Sequence, residues 1–122
     1  MKKTRTLIIF MMLSILTLVG CSENDKNEMT GIFLKSMNGN HLIIDENGSP
    51  IEMGNETGKE NIFDDLQSGD KIEITYDAIM ERYPGQTHSY SCKLLEKGHI
   101  DDISTDTLNT LQEYGWIFDL SD

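Results

Sequence analysis

The stretch Lys71–Tyr76, KIEITY, has the pattern that decides the fold. Apolar and polar residues alternate along it, so that Ile72 and Ile74 face one side and Glu73 faces the other. A two-residue period is typical of a strand with one buried face. The preceding QSGD, residues 67–70, delivers the chain into this strand. The segment therefore predicts a domain built from short β-strands.

Two further strands are predicted upstream, over Met29–Met37 and His41–Asp45. Each is followed by a turn that contains Asn-Gly, at residues 38–40 and at residues 46–49. Asn-Gly between apolar runs is a strong hairpin signal, because a type I′ turn needs positive φ at both central residues. A short third strand, Ile51–Met53, follows the second turn.

The remaining middle of the chain alternates between loops and one more long strand. Gly54–Asn61 is a polar loop, and Ile62–Leu66 has the pattern of a single helical turn. After KIEITY, Asp77–Arg82 is expected to continue extended. Tyr83–Gln86, YPGQ, is predicted to form a turn because proline fixes φ and glycine supplies conformational freedom. Tyr90–Glu96 is the last strand.

The C-terminal part changes to a helical period. Ser104 or Thr105 can cap a helix from about 104–114, and Gly115 fits its stop. Residues 116–118, WIF, are expected to pack on the barrel. Five or six short strands with one C-terminal α-helix predict a mainly β protein, a small closed antiparallel barrel rather than a sandwich. The predicted core consists of Ile32, Leu34, Leu42, Ile44, Ile72, Ile74 and Leu94, with Tyr76 and Tyr90 also facing inward.

The N-terminal segment has the plan of a secretory signal peptide. Lys2, Lys3 and Arg5 form a positive region, and Leu7–Val19 is an apolar run interrupted by two hydroxyl residues. This run is shorter than the roughly 20 apolar residues that a membrane span needs. The segment therefore predicts export of the chain.

The run ends in residues 18–21, LVGC, which resembles the lipobox of bacterial lipoproteins. The resemblance implies that a diacylglyceryl group is joined to the Cys21 sulfur and that signal peptidase II cuts between Gly20 and Cys21. Location on the extracytoplasmic face of the cell membrane, held by the lipid anchor, is what this family leads us to expect.

Removal of residues 1–20 leaves 102 residues, enough for one domain with a modest core. Residues 21–28 are expected to form the lipidated cysteine and a flexible tether, and residues 29–122 a single domain. The removed segment carries three basic residues and no acidic one, so the formal net charge goes from −11 to −14. A surface so acidic is repelled by phosphate backbones, which disfavours nucleic acid as a partner.

A second resemblance concerns the domain itself. The pattern LxxGDKIxITYD at residues 66–77, YPGQ at 83–86 and the final strand are similar to small, functionally uncharacterised lipoproteins of Gram-positive bacteria. The resemblance spans roughly residues 29–97 and implies an OB-like barrel. The helix after residue 100 lies outside it. This family implies a fold and no activity.

Few residues have the spacing of a reactive site. A calcium loop starting at Asp45 would require glycine at its sixth position, where Pro50 stands. His41, His88 and His99 lack the spacing of zinc ligands. Cys92, the only free thiol once Cys21 is lipidated, is expected to be a small buried residue. No catalytic motif is present, and no enzyme activity, metal or cofactor is expected.

The leading interpretation is a membrane-anchored binding or accessory module with a protein or small-molecule partner. One alternative is an envelope enzyme or metal-dependent hydrolase whose site is assembled from scattered acids and histidines. Another is a structural or stress-related lipoprotein without a discrete ligand. A recognition loop is predicted because a proline-stiffened turn presents an aromatic ring, an amide and an imidazole; its residues are Tyr83, Pro84, Gly85, Gln86 and His88. The other reading of this loop is that it only turns the chain.

Overall fold

The structure, a computed structural model, describes residues 26–120. Gly20 and Cys21, with the predicted cleavage and lipidation, lie outside the described residues. The barrel is followed by a short 3-10 helix and one α-helix. The elements are β1 (Asn27–Lys35), β2 (His41–Ile44), β3 (Pro50–Asn55), β4 (Lys71–Tyr76), β5 (Gly85–Glu96), the 3-10 helix (Ile100–Asp102) and α1 (Thr105–Glu113).

The five strands form a closed barrel in the order β1-β2-β3-β5-β4. Four strand pairs are antiparallel, and β3 and β5 run parallel. The predicted small OB-like barrel with a C-terminal helix is confirmed. β4 has the predicted limits, whereas β1 begins two residues earlier than expected and β5 begins five residues earlier.

The apolar side chains form two clusters, one inside the barrel and one outside it. The inner cluster consists of Phe33, Ile43, Ile51, Met53, Phe63, Leu66, Ile72 and Ile74. The outer cluster joins β1 and β2 to the C-terminal segment and consists of Leu34, Leu42, Ile44, Ile100, Ile103, Leu108, Leu111 and Phe118. The predicted single core is therefore divided between the two faces of the β1–β2 hairpin.

Leu34, Leu42 and Ile44 are buried as predicted, but beneath α1 rather than inside the barrel. Ile32 is half-buried against the same cluster. Because side chains alternate along a strand, Phe33 and Ile43 point inward in their place. The expectation that all seven core residues share one interior was wrong on this point.

Leu94 was predicted in the core and is 39% exposed. It pairs with Ile72 and so shares the inner face of the barrel. It lies close to the end of β5, where the register shifts. A second shift, between Thr75 and Tyr76, leaves Tyr90 out of the pairing, which is the effect of a β-bulge.

The segment between β3 and β4 covers one end of the barrel. The predicted helical turn over 62–66 is instead a pair of turns, closed by bonds from Asp64 N to Asn61 O and from Leu66 N to Phe63 O. Phe63 and Leu66 are buried in the inner cluster. This connection therefore completes the interior core rather than forming a separate surface loop.

Asp70 is a fully buried carboxylate that joins three parts of the chain. One of its oxygens accepts from Gln67 N at 3.0 Å, and the other accepts from Gly98 N at 2.9 Å. Its carbonyl accepts from Phe33 N at 2.8 Å. Gly69, at φ +104°, is necessary here because a Cβ would overlap the His99 carbonyl. We call this set of contacts the Asp70 clasp.

Helix α1 packs Leu108 and Leu111 on the outer face of the barrel. Ser104 is its N-cap residue, although its side chain donates and accepts no capping bond. Gly115, at φ +97°, ends the helix as predicted. Of the tail expected to pack on the barrel, Phe118 is buried, whereas Ile117 is exposed.

Candidate recognition surface

The loop between β4 and β5, residues 77–84, is held against the barrel by backbone and side-chain bonds. Met80 and Gln86 exchange two backbone hydrogen bonds of 2.7 and 3.2 Å. The Thr87 hydroxyl donates to the Ala78 carbonyl at 2.6 Å. The expected continuous extension of β4 is therefore replaced by a loop that folds back on the start of β5.

The predicted recognition residues are divided between this loop and β5. Pro84 and Gly85 are buried, and Gly85 already pairs with β3 as the first residue of β5. The predicted turn thus ends at Pro84, two residues before its expected end. Gln86 and His88 follow on the outer face of β5, with His88 exposed. Tyr83 is 39% exposed at the end of the loop.

Tyr83 meets Tyr114, the residue that follows α1. The ring centroids lie 4.8 Å apart, at an interplanar angle of 50°. Burial raises the pKa of the Tyr83 phenol, and Tyr114 raises it further. Tyr114 is 60% exposed. The pair is thus an aromatic surface contributed by two separate elements.

Polar groups continue this surface along the parallel β3–β5 pair. Arg82 and Glu52 form an ion pair at 3.2 Å. Glu52 pairs in register with Gln86, and Gly54 pairs with His88. We use the name aromatic–polar surface for the two tyrosines together with these polar side chains. Its residues are Tyr83, Tyr114, Arg82, Glu52, Gln86 and His88. It combines aromatic, amide, imidazole and charged groups on a strand framework.

OB barrels bind ligands on the face of strands 2 and 3 and through the loops 1-2 and 4-5. In this chain the outer side of β2 is covered by α1 through Leu42 and Ile44. The outer side of β3 and the 4-5 loop stay accessible, and the aromatic–polar surface lies there. A shallow cleft of about 270 Å³ separates this loop from the turn after β2.

Tyr90 links the same loop to the beginning of the barrel. Its hydroxyl donates to Asp77 Oδ2 at 2.8 Å. This bond, with a second from Ala78 N, lowers the pKa of the Asp77 carboxyl, and it raises the pKa of the Tyr90 phenol. Lys26 Nζ lies 3.9 Å from the centroid of the Tyr90 ring. Tyr90 is therefore a bulged surface residue rather than the core residue that was expected.

The three histidines do not converge. His41 lies against Phe33 and Phe63, with ring centroids at 5.7 and 4.8 Å, and burial lowers its pKa. His99 caps the 3-10 helix, and His88 lies on β5. Within residues 26–120, no group of three or more His, Cys, Asp or Glu side chains is placed to hold a metal ion.

Cys92 lies on β5 and packs against the inner cluster. Burial raises the pKa of its thiol to about 11, so the group stays protonated at neutral pH. A protonated thiol is a weak nucleophile. Cys92 is half-buried rather than fully buried as expected.

The Tyr83–Tyr114 contact is the part of the surface that the sequence did not indicate, because 31 positions separate the two residues.

None of the helices between residues 26 and 120 has the length and apolar character that crossing a bilayer requires.

Comparison with known proteins found no matching family model, no matching curated protein and no matching solved structure.

Proposed function

We propose that this chain is an extracytoplasmic lipoprotein of the cell membrane, anchored through Cys21, and that it acts as a non-enzymatic binding or accessory module. The anchor is supported by the positive N-terminal region, the apolar run Leu7–Val19 and the lipobox-like LVGC. The two or three acyl chains of a lipoprotein hold a protein firmly, whereas one chain binds only marginally.

The Tyr83–Tyr114 pair is the observation that carries the binding role. Both rings are exposed, yet each is attached to a fixed element: Tyr83 precedes the buried Pro84, and Tyr114 follows α1. Tyrosine is enriched in protein–protein interfaces, where it supplies a large contact area and a polar end. We therefore propose a protein partner, and the strongly acidic mature chain disfavours nucleic acid.

The anchor is tested by Cys21→Ser. This variant should accumulate as uncleaved precursor or be released from cells, whereas the wild type should partition with the membrane fraction. Cys92→Ser is the matched control and should partition like the wild type. A mature wild-type N-terminus at any residue other than Cys21 contradicts the proposal.

The recognition role is tested by photo-crosslinking in intact cells. A photoreactive residue at His88 should capture a discrete protein, while the same residue at Asp101, on the 3-10 helix, should not. The double change Tyr83→Ala with Gln86→Ala should then abolish capture and leave the melting temperature unchanged. A lower melting temperature with capture retained would instead show that the loop only turns the chain.

A further inference from the structure

Three segments meet at the end of the barrel where β1 begins. β1 and β3 start at this end, and β2 and β4 finish there, as the strand pairings require. It therefore carries Asn27, the turn at residues 45–49 and the loop at residues 77–84. We call this the Asn27 end, and the opposite one the Lys35 end.

The chain enters the barrel beside the 77–84 loop. Asn27 Nδ2 donates to the Asp77 carbonyl at 3.2 Å, and Lys26 stacks on Tyr90. Ile79 lines a recess of about 310 Å³ together with Glu28 and Met29 of β1. The residues that precede β1 and the tip of this loop are therefore immediate neighbours.

The loop exposes two large apolar side chains at this place. Ile79 is 38% exposed and Met80 is 60% exposed. Isolated exposed apolar residues are common on protein surfaces. These two are adjacent in sequence, and they stand next to the point from which the chain leads back toward Cys21.

Only four residues separate Cys21 from Lys26. Fully extended, the chain from Cys21 to Lys26 spans at most about 18 Å. A lipid joined to Cys21 therefore keeps the Asn27 end close to the bilayer. Such a link raises the effective concentration of the loop at the lipid surface, so that even a weak contact becomes populated.

We propose that the Asn27 end of the barrel docks on the bilayer that holds Cys21, with Ile79 and Met80 inserted at the boundary between lipid and water. This inference rests on the lipid anchor of the proposed function. Docking turns the Lys35 end away from the membrane and fixes the direction in which the aromatic–polar surface faces.

The charges at the Asn27 end determine which lipids favour docking. Five acidic residues lie near this end, and they are Glu28, Asp45, Glu46, Asp77 and Glu81. Two basic residues, Lys26 and Arg82, oppose them. Repulsion should therefore weaken docking on anionic vesicles, and added salt should restore it by screening. Zwitterionic lipid should favour docking without salt.

Fluorescence quenching in vesicles tests the inference. The lipidated Cys92→Ser protein is reconstituted in phosphatidylcholine vesicles that contain nitroxide-labelled lipid. A fluorophore is attached at Asn47→Cys, in the turn at the Asn27 end, or at Glu60→Cys, in the loop at the Lys35 end. Docking predicts strong quenching at position 47 and little at position 60.

The double change Ile79→Ser with Met80→Ser should then reduce quenching at position 47 while the protein stays in the vesicle fraction. If docking buries apolar area equal to one large side chain, the serine changes should lower the docked-to-undocked ratio about tenfold. A melting curve that matches the parent shows that the double variant is folded.

Each other outcome overturns the inference in a distinct way. Equal quenching at positions 47 and 60 shows that the domain takes no preferred orientation. Quenching at position 47 that survives the serine changes shows that Ile79 and Met80 do not mediate docking. If the protein that retains Ile79 and Met80 does not stay in the vesicle fraction, the lipid anchor is refuted, and with it the proposed function. If a photoreactive residue at position 80 captures a protein in cells, and position 47 is not quenched in vesicles, the loop belongs to a protein interface and does not dock on lipid.

Discussion

Replacing Asp70 by alanine should remove a large part of the stability of the domain. The carboxylate is fully buried and accepts from the backbone amides of Gln67 and Gly98. Alanine leaves both N–H groups without their acceptor. Because these groups are only partly buried, each should cost about 1–2 kcal/mol, the lower part of the range for buried groups. We therefore expect a loss of about 2–4 kcal/mol in the free energy of unfolding. A domain of this size has only about 5–15 kcal/mol in total.

Equilibrium urea unfolding measures this loss, with Asp65→Ala as the matched control. Asp65 is exposed, so its removal should change the free energy of unfolding by less than about 0.5 kcal/mol. Asp70→Asn should lie between the control and Asp70→Ala, because the amide oxygen can still accept one of the two bonds. If Asp70→Ala differs from the wild type by no more than the control does, the clasp does not stabilise the barrel.

Three further changes test the core. Ile74→Ala should lower the free energy of unfolding by about 2–5 kcal/mol, because the side chain is fully buried in the inner cluster; urea unfolding measures it, and a smaller loss contradicts that burial. Ser89→Ala should raise the free energy of unfolding by about 1 kcal/mol, since the buried hydroxyl has no hydrogen-bond partner within the described residues. A variant that melts at a lower temperature than the wild type contradicts this prediction. Burial lowers the pKa of His41 below 6.5, so the unfolded chain binds a proton more readily than the folded one, and the free energy of unfolding should fall as the pH drops through 6.5. His41→Phe should reduce the pH dependence of the unfolding midpoint between pH 7.5 and 5. The same pH dependence in wild type and variant contradicts the prediction.

The sequence predicted the fold well where one face of a strand is polar. The alternation in Lys71–Tyr76 gave the limits of β4. The two Asn-Gly segments do form turns, but the type I′ prediction was wrong: Gly39 and Gly48 have positive φ, whereas the asparagines before them do not. The hairpin itself was harder to orient. Residues 32–34 and 42–44 are apolar on both faces, so a two-residue period cannot tell the inside of the barrel from the side beneath α1.

The candidate site was predicted only in part, for two physical reasons. The bulge at Tyr90 changes which residues of β5 face inward, and a strand pattern does not reveal an extra residue in the pairing. The Tyr83–Tyr114 contact depends on how α1 lies on the barrel. Such a tertiary contact leaves no local periodicity in the sequence. The buried role of Asp70 likewise depends on Gly98, 28 positions further along the chain.

The outer cluster has a consequence for the order in which the chain can fold. Leu34 and Leu42, near the start of the barrel, share one buried cluster with Leu111 and Phe118, which come about 70 to 85 positions later in the sequence. During synthesis, the outer apolar face of β1 and β2 therefore stays exposed until the C-terminal segment is available. The pairing of β1 with β4 likewise cannot form before β4 has been synthesised. Contacts between distant segments slow folding, because the chain must first close long loops. A chain that emerges N-terminus first should therefore acquire its stable structure in one late step, after residue 118 has left the ribosome.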